Sequence, residues 1–284
     1  MESVIDINHF NTLVNESHSK GKIIVSNCYL LSNDIYKYTL QNRMFFKKNK
    51  GGLFLICEER DFFYLYYYIP ETQIQDLDIR FEDLTKPIIV DLVYLELKKN
   101  QSLIEIEKSW LKQGFYVHKI YKRMSLDTPL GGCAIQNKFL FENHNYTLSF
   151  AQPTHVQEIQ YLWRDNLDIL STAMPTDSEL LDLITNKQLP CIFDKDNKVV
   201  ATLQFLCSGK VRTIKHVVVN AAHRQSGLAK VLLHSLLKEN KDINKYILWV
   251  DKENLPAIML YKKCGFYFDG KITSQLVMKK LLYH

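Results

Sequence analysis

The 284-residue sequence predicts an α+β (α/β) fold of two domains, each a mixed, mostly antiparallel twisted sheet flanked by helices. Aromatic and β-branched runs of strand length alternate with stretches whose apolar residues recur at three- and four-residue steps. Short charged turns join neighbouring runs, as in antiparallel hairpins. A strand, a helix, Gly-Phe and a further strand occur twice, around Gly114-Phe115 and Gly265-Phe266, about one domain length apart. These observations predict two similar domains.

The first half contains the most aromatic strands. A weak helical signal precedes strand-like residues 22–25, and residues 53–57 and 62–69 form a predicted hairpin around a charged tetrad. Residues 87–95 are a further strand, and residues 103–112 form a short helix. We expect the tyrosines of the hairpin to pack within the sheet, and the alternative is that they line a substrate groove.

The second half follows a seam rich in turn-forming residues, 125–132, and we expect the domain boundary between residues 136 and 137. A strand at 146–150 leads into an amphipathic helix. Residues 176–179, Thr-Asp-Ser-Glu, resemble the N-terminal cap of another helix. Two apolar runs then flank the charged turn 194–198, which predicts a hairpin.

The stretch from Val211 to Asn240 predicts a strand, a tight turn and a helix. The first turn of a helix has backbone N–H groups without partners and a partial positive charge, so it attracts phosphate. Gly227, at the start of the helix, lets a ligand approach the backbone closely, and Arg224 adds a permanent cation. This stretch therefore predicts a pyrophosphate-binding turn.

Two motifs carry a resemblance to a known family. Arg224-x-x-Gly227-x-Ala229 follows the strand and is similar to the acyl-coenzyme A motif of the GNAT acetyltransferase superfamily. Six residues further along the chain together resemble the second GNAT motif: Asn254, Ala257, Leu260, Tyr261, Gly265 and Phe266. Because both motifs occur in the family's order, the C-terminal half is identified as resembling a GNAT domain.

The resemblance implies a tandem GNAT protein, in which residues 1–136 form a degenerate domain without a coenzyme site and residues 137–284 form the catalytic domain. It implies an N-acetyltransferase that moves an acetyl group from acetyl-CoA to a primary amine by direct transfer in a ternary complex. The implied coenzyme-binding residues are Val217, Val219, Arg224, Gln225, Ser226, Gly227, Leu228, Ala229, Lys230 and Asn254.

By this resemblance, Tyr261 occupies the family's general-acid position. A phenol can donate a proton to the departing thiolate, because its ordinary pKa of about 10 keeps it protonated in the cell. The alternative is a core tyrosine that packs on the coenzyme. The strand before the turn lacks the glutamate that some members use as a base. His216 is the candidate base, and it would act through water. Asp251 is another candidate. The alternative for His216 is a purely structural role.

Composition limits the partners. The sequence has 36 Lys and Arg against 31 Asp and Glu, and a net charge of +5 is too small to indicate nucleic acid or a membrane. Six isolated cysteines predict no metal site, and no leader or membrane-length apolar run is present, so we expect a cytoplasmic protein. The acceptor is a small-molecule or peptide amine that the sequence does not identify, and the oligomeric state also stays open.

Two other functions fit the same residues. One is a non-catalytic module that binds or senses acyl-CoA, which the missing strand carboxylate favours. The other is an N-acyltransferase that uses a longer acyl chain.

Overall fold

The computed structural model describes residues 1–279 apart from positions 20, 22, 50, 76, 78, 82, 83, 129–144 and 239–241. The chain forms two compact units. Unit 1 consists of Met1–Tyr121 and Gly270–His284, and unit 2 consists of Lys122–Asp269. The predicted boundary between residues 136 and 137, with the second half of the predicted seam, lies outside the described residues.

Unit 1 is built on a mixed sheet with the strand order β1-β3-β4-β5-β6-β13, in which β13 is the C-terminal strand Tyr267–Met278. The pair β5–β6 is parallel and the others are antiparallel. Helices α1 and α2 pack on one face through Phe10, Leu13 and Ile35, and α3 packs on the other through Ile106 and Trp110. Its elements are β1 (Glu2–Ser3), α1 (Ile7–His18), β2 (Ile24–Ser26), α2 (Ser32–Leu40), β3 (Met44–Asn49), β4 (Gly52–Glu58), β5 (Phe63–Pro70), β6 (Ile88–Leu95), α3 (Gln101–Lys112) and the first part of β7 (Tyr116–Asp127).

Unit 2 has the strand order β7-β12-β11-β10-β9-β8. Here β11 and β12 are parallel, and β8 to β11 are antiparallel neighbours. The elements are β8 (Tyr146–Phe150), α4 (Val156–Asn166), α5 (Asp177–Thr185), β9 (Pro190–Asp194), β10 (Val199–Ser208), β11 (Val211–Val219), α6 (Leu228–Lys238), β12 (Lys245–Asp251), α7 (Leu255–Lys263) and the start of β13 (Tyr267–Met278).

Two cores cover the faces of this second sheet. The α6 core contains Leu232, Leu248 and Tyr261, and the α4 core contains Trp163 and Leu180. The mixed, mostly antiparallel sheet flanked by helices confirms the predicted fold class.

The C-terminal strand shows that the two units are not two consecutive halves of the chain. From Gly270 onward, β13 belongs to unit 1. It pairs antiparallel with β6 from Lys271↔Leu95 to Met278↔Ile88 and buries Leu276 completely in that unit's core. Backbone pairing over this length and burial of apolar side chains stabilise the strand in unit 1, so the chain is divided at two places.

Several locally determined elements match their predictions. Strands β4 and β5 form the aromatic hairpin, and β9 and β10 form the second one. At the start of α5, the Glu179 amide donates to Thr176 Oγ1 over 3.3 Å, and the Thr176 amide donates to Glu179 Oε2 over 2.7 Å. This reciprocal pair is the predicted capping box. The strand predicted at 22–25 is observed as β2, whereas Lys22 lies outside the described residues.

In the part of the chain that the structure describes, no helix combines the length and the apolar character needed to cross a membrane.

Candidate functional site

Strand β11 contains a bulge at Lys215, where its register with β10 shifts. An extra residue in a strand exchanges the faces of the side chains beyond it. Ile214, before the bulge, packs in the α6 core, whereas Val218, after it, packs in the α4 core. Val217 and Val219 consequently contact the α6 core, on the side where α6 and α7 lie.

Beyond the bulge, one edge of β11 is open. Its parallel pairing with β12 runs from Val211↔Lys245 to Ile214↔Leu248, while its other edge stays paired with β10 as far as Val219. Among the described residues, no strand covers the edge from His216 to Val219 that faces β12. Backbone N–H and C=O groups on such an edge are available to a ligand that pairs with them as a strand does.

The open edge leads into a turn of unusual backbone geometry. Gln225 and Gly227 have positive φ values of 63° and 81°, and α6 begins at the next residue, Leu228. A Cβ atom built on Gly227 meets no atom within 4 Å, so the space above the first helical turn is open. The Val231 amide donates to the Gly227 carbonyl over 3.1 Å. The amides ahead of Val231 in the helix have no acceptor within it, as at any helix start.

Side chains around the turn hold it in place. Leu228 is only 3% exposed and anchors α6 in the α6 core, whereas Gln225 and Ser226 are exposed. Ala229 and Lys230 lie half-buried in the first helical turn. Leu228 therefore fixes the start of α6, while Gln225 and Ser226 stay at the surface of the turn.

Arg224 is bound to the end of α4. Its Nη2 donates to Asn166 Oδ1 over 2.6 Å, and its Nε donates to the Val219 carbonyl over 3.4 Å. Nearby, the Tyr146 hydroxyl lies 3.0 Å from His223 Nδ1. The guanidinium thus lies at the point where β11 ends and the turn begins. Sequence reasoning missed Asn166 and Tyr146, because each is far from its partner along the chain and belongs to no local motif.

Asn254 has a local structural role. It is the N-cap residue of α7, and its Oδ1 accepts a hydrogen bond of 3.2 Å from the Ala257 amide. Its side chain is exposed beyond that bond. Contact with a coenzyme stays a prediction for this residue.

Tyr261 lies on α7 with 9% exposure and belongs to the α6 core. Its ring meets Phe266 edge-on, with the ring centroids 6.0 Å apart. Burial, with a smaller contribution from Cys264, raises the pKa of Tyr261 to about 12. The phenol therefore keeps its proton at every physiological pH.

His216 lies on the other face of the sheet. Its ring centroid is 5.4 Å from that of Trp163, whose Nε1 donates to Thr202 Oγ1 over 2.8 Å. Burial, with a smaller effect of Lys215, lowers the pKa of His216 to about 4. The imidazole is neutral at neutral pH and is a weak base. The two predicted catalytic residues therefore lie on opposite faces of the sheet, Tyr261 in the α6 core and His216 beside the α4 core.

The pKa of His216 predicts a loss of stability in acid. Its folded-state pKa of about 4 lies below the ordinary 6.5, so folding favours the neutral ring. As the pH falls from about 6.5 to about 4, the unfolded chain takes up a proton that the folded chain does not. We expect protonation of the unfolded chain at this residue to lower the free energy of unfolding by about 2 kcal/mol over that window. The full pKa shift would give a larger value, which solvent reduces because the ring is partly exposed. Urea titrations of His216→Phe at several pH values should show a flatter dependence than the wild type.

His18→Phe, which changes an exposed histidine of unit 1, is the control for this titration. If His216→Phe loses stability between pH 6.5 and 4 as steeply as the wild type, the lowered pKa is wrong.

The strand–turn–helix arrangement of unit 2, from β11 through the positive-φ turn to α6, lies within the region that matches a known family. Residues 156–266 match the model of the acetyltransferase (GNAT) family. The GNAT family uses acyl-CoA in acyl transfer. A search of curated proteins gave no match.

Solved structures extend the fold comparison to most of the chain. A GCN5-related N-acetyltransferase from Sphaerobacter thermophilus has 12% identity and a TM-score of 0.53, covering 81% of this chain and 78% of that one. A Drosophila protein has 12% identity and a TM-score of 0.56, covering 96% and 88%. A tandem GNAT protein from the clavulanic acid biosynthesis pathway has 11% identity and a TM-score of 0.53, covering 82% and 81%. At these identities the likeness establishes the fold alone.

Proposed function

We propose that unit 2 transfers an acetyl group from acetyl-CoA to a primary amine of a small molecule or peptide, by direct transfer in a ternary complex. One observation carries this proposal. The open edge of β11, from His216 to Val219, leads directly into the positive-φ turn at Gln225 and Gly227. An extended amide-containing arm that ends in a pyrophosphate has the shape and the hydrogen-bonding groups that such an edge and turn would bind.

The residues present fit the coenzyme. Backbone groups of Val217 and Val219 would pair with the pantetheine arm, and the turn from Gln225 to Lys230 would hold the pyrophosphate. The open space at Gly227 supports this placement, since a side chain there would occupy the position of the phosphates. Arg224, at the end of β11, would add positive charge, and Asn254 would hold the start of α7 beside the site.

The acetyl thioester supplies an acyl carbon bonded to sulfur. In the transfer, the amine nitrogen forms a bond to that carbon as the carbon–sulfur bond breaks. The acceptor ammonium loses one proton to water before the attack, its nitrogen loses a second proton to water after the carbon–nitrogen bond forms, and the thiolate sulfur receives a proton. Tyr261 is proposed as the group that donates to the sulfur, because its phenol is neutral. It recovers its proton from solvent.

A second function has a specific observation in its favour. The weak basicity of His216 and the lack of a carboxylate in β11 favour a module that binds acyl-CoA without turnover. In the acetyltransferase, His216 is the proposed base, and its neutral imidazole would accept a proton from the acceptor through water.

Binding and thiol release separate these functions. Calorimetry with coenzyme A and acetyl-CoA should show uptake, and release of free thiol should depend on an added amine, tested with diamines, amino acids, amino sugars and a peptide N-terminus. A reaction without amine measures the background hydrolysis. Uptake without amine-dependent release would support the sensing module, and faster release from longer acyl-CoA would identify a longer acyl chain. No uptake at all would dismiss the acyltransferase.

A further inference from the structure

Unit 1 contains its own pair of parallel strands that separate. Strands β5 and β6 pair at Phe63↔Ile88 and Tyr64↔Ile89, after which β5 continues to Pro70 and β6 to Leu95. In unit 2, β11 and β12 likewise pair at their beginnings and not at their ends. Each unit therefore has a gap between two parallel strands. A strand of the chain lies in the gap of unit 1, and no strand of the described residues lies in the gap of unit 2.

In unit 1 the chain itself covers the open edge. Strand β2 pairs antiparallel with the end of β5, from Ile24↔Pro70 to Ser26↔Tyr68. Tyr68 also pairs with Leu53 of β4. Because a strand has only two edges, β2 must lie on the edge of β5 opposite β4, which is the edge that faces β6.

Asn27, the residue after β2, bridges both strands of this gap. Its Nδ2 donates to the Leu65 carbonyl of β5 over 3.1 Å and to the Asp91 carbonyl of β6 over 3.2 Å. Its Oδ1 accepts from the Tyr67 amide of β5 over 2.8 Å. One side-chain amide thus satisfies backbone groups of both strands that their separation leaves unpaired.

The segment after β5 also differs from the turn after β11. A short 3-10 turn, Glu71–Gln73, follows β5, and the described residues between 74 and 87 contain no helix. Unit 1 therefore has no counterpart of α6 in the described part of this segment, and its strand edge is already paired.

We infer that β2 and Asn27 are an internal substitute for the pantetheine arm, so that unit 1 takes no coenzyme and the chain binds one acyl-CoA, in unit 2. The amide of Asn27 makes the donor and acceptor contacts that a pantetheine amide would make to a strand edge. The part of this inference that concerns unit 2 rests on its proposed function. The part that concerns unit 1 depends only on the contacts of β2 and Asn27.

Calorimetric titration of the full chain with coenzyme A tests the stoichiometry. We expect one molecule per chain in the wild type and at least a hundredfold weaker uptake in Gly227→Val. A second molar equivalent in the wild type, or uptake that persists unchanged in Gly227→Val, would overturn the inference. No uptake by the wild type would end the proposed function, and exchange of the Tyr67 amide then decides the role of β2 and Asn27.

Hydrogen exchange of the Tyr67 amide tests those contacts without any ligand. We expect slow exchange in the wild type and at least tenfold faster exchange in Asn27→Ala, which removes the acceptor. Asn8→Ala, at an exposed position of α1 in the same unit, should leave the exchange unchanged. Rapid exchange of the Tyr67 amide in the wild type would overturn the inference, and this measurement needs no variant. Equal exchange rates in the wild type and in a folded Asn27→Ala would overturn it too.

Discussion

Tyr261→Phe is expected to lower kcat about a hundredfold while the Kd for coenzyme A stays within about twofold. The substitution removes one oxygen and keeps the ring, so the edge-on contact with Phe266 and the packing in the α6 core are retained. What is lost is a protonated donor whose raised pKa of about 12 keeps it neutral. Steady-state thiol release measures kcat, and calorimetry measures the Kd.

Tyr36→Phe is the matched control, since Tyr36 is an exposed tyrosine on α2 of unit 1. It should leave both quantities unchanged. Full turnover by Tyr261→Phe with normal affinity would remove Tyr261 as the proton donor. A parallel loss of affinity and turnover would instead assign it the packing role.

The parts of the fold that follow from short stretches of sequence were predictable. The capping box at Thr176, the hairpin between β9 and β10 and the turn before α6 each depend on residues within a few positions of one another. Turn chemistry, capping and apolar periodicity act over that range. For the same reason, the two motifs that resemble GNAT motifs both lie within residues 156–266, which match that family's model.

The features that sequence reasoning missed depend on contacts between distant segments. Pairing of β13 with β6 assigns the last strand to unit 1, and nothing near residue 270 indicates it. The bulge at Lys215 reverses which side chains of β11 face each core, and a β-branched run does not reveal a bulge. Asn27 is an ordinary asparagine in the sequence and becomes informative only beside Leu65 and Asp91.

Gly227→Val is expected to weaken coenzyme A binding at least a hundredfold, equivalent to about 2.7 kcal/mol. Two effects act together. A β-branched residue rarely adopts a φ of 81°, so the turn that aims the amides of α6 is distorted. The new side chain also extends into the open space in which the phosphates are proposed to lie. Titration of both proteins with coenzyme A measures the difference.

Gly114→Val separates the loss of binding from backbone strain. Gly114 has a similar φ of 89°, and a Cβ there also meets no atom within 4 Å, but it lies in unit 1 after α3. Both variants should therefore lose stability in urea by a similar amount, whereas only Gly227→Val should lose affinity. Equal losses of affinity in the two variants would mean that strain acts through global unfolding. Undiminished affinity in Gly227→Val would show that the first turn of α6 does not hold the pyrophosphate.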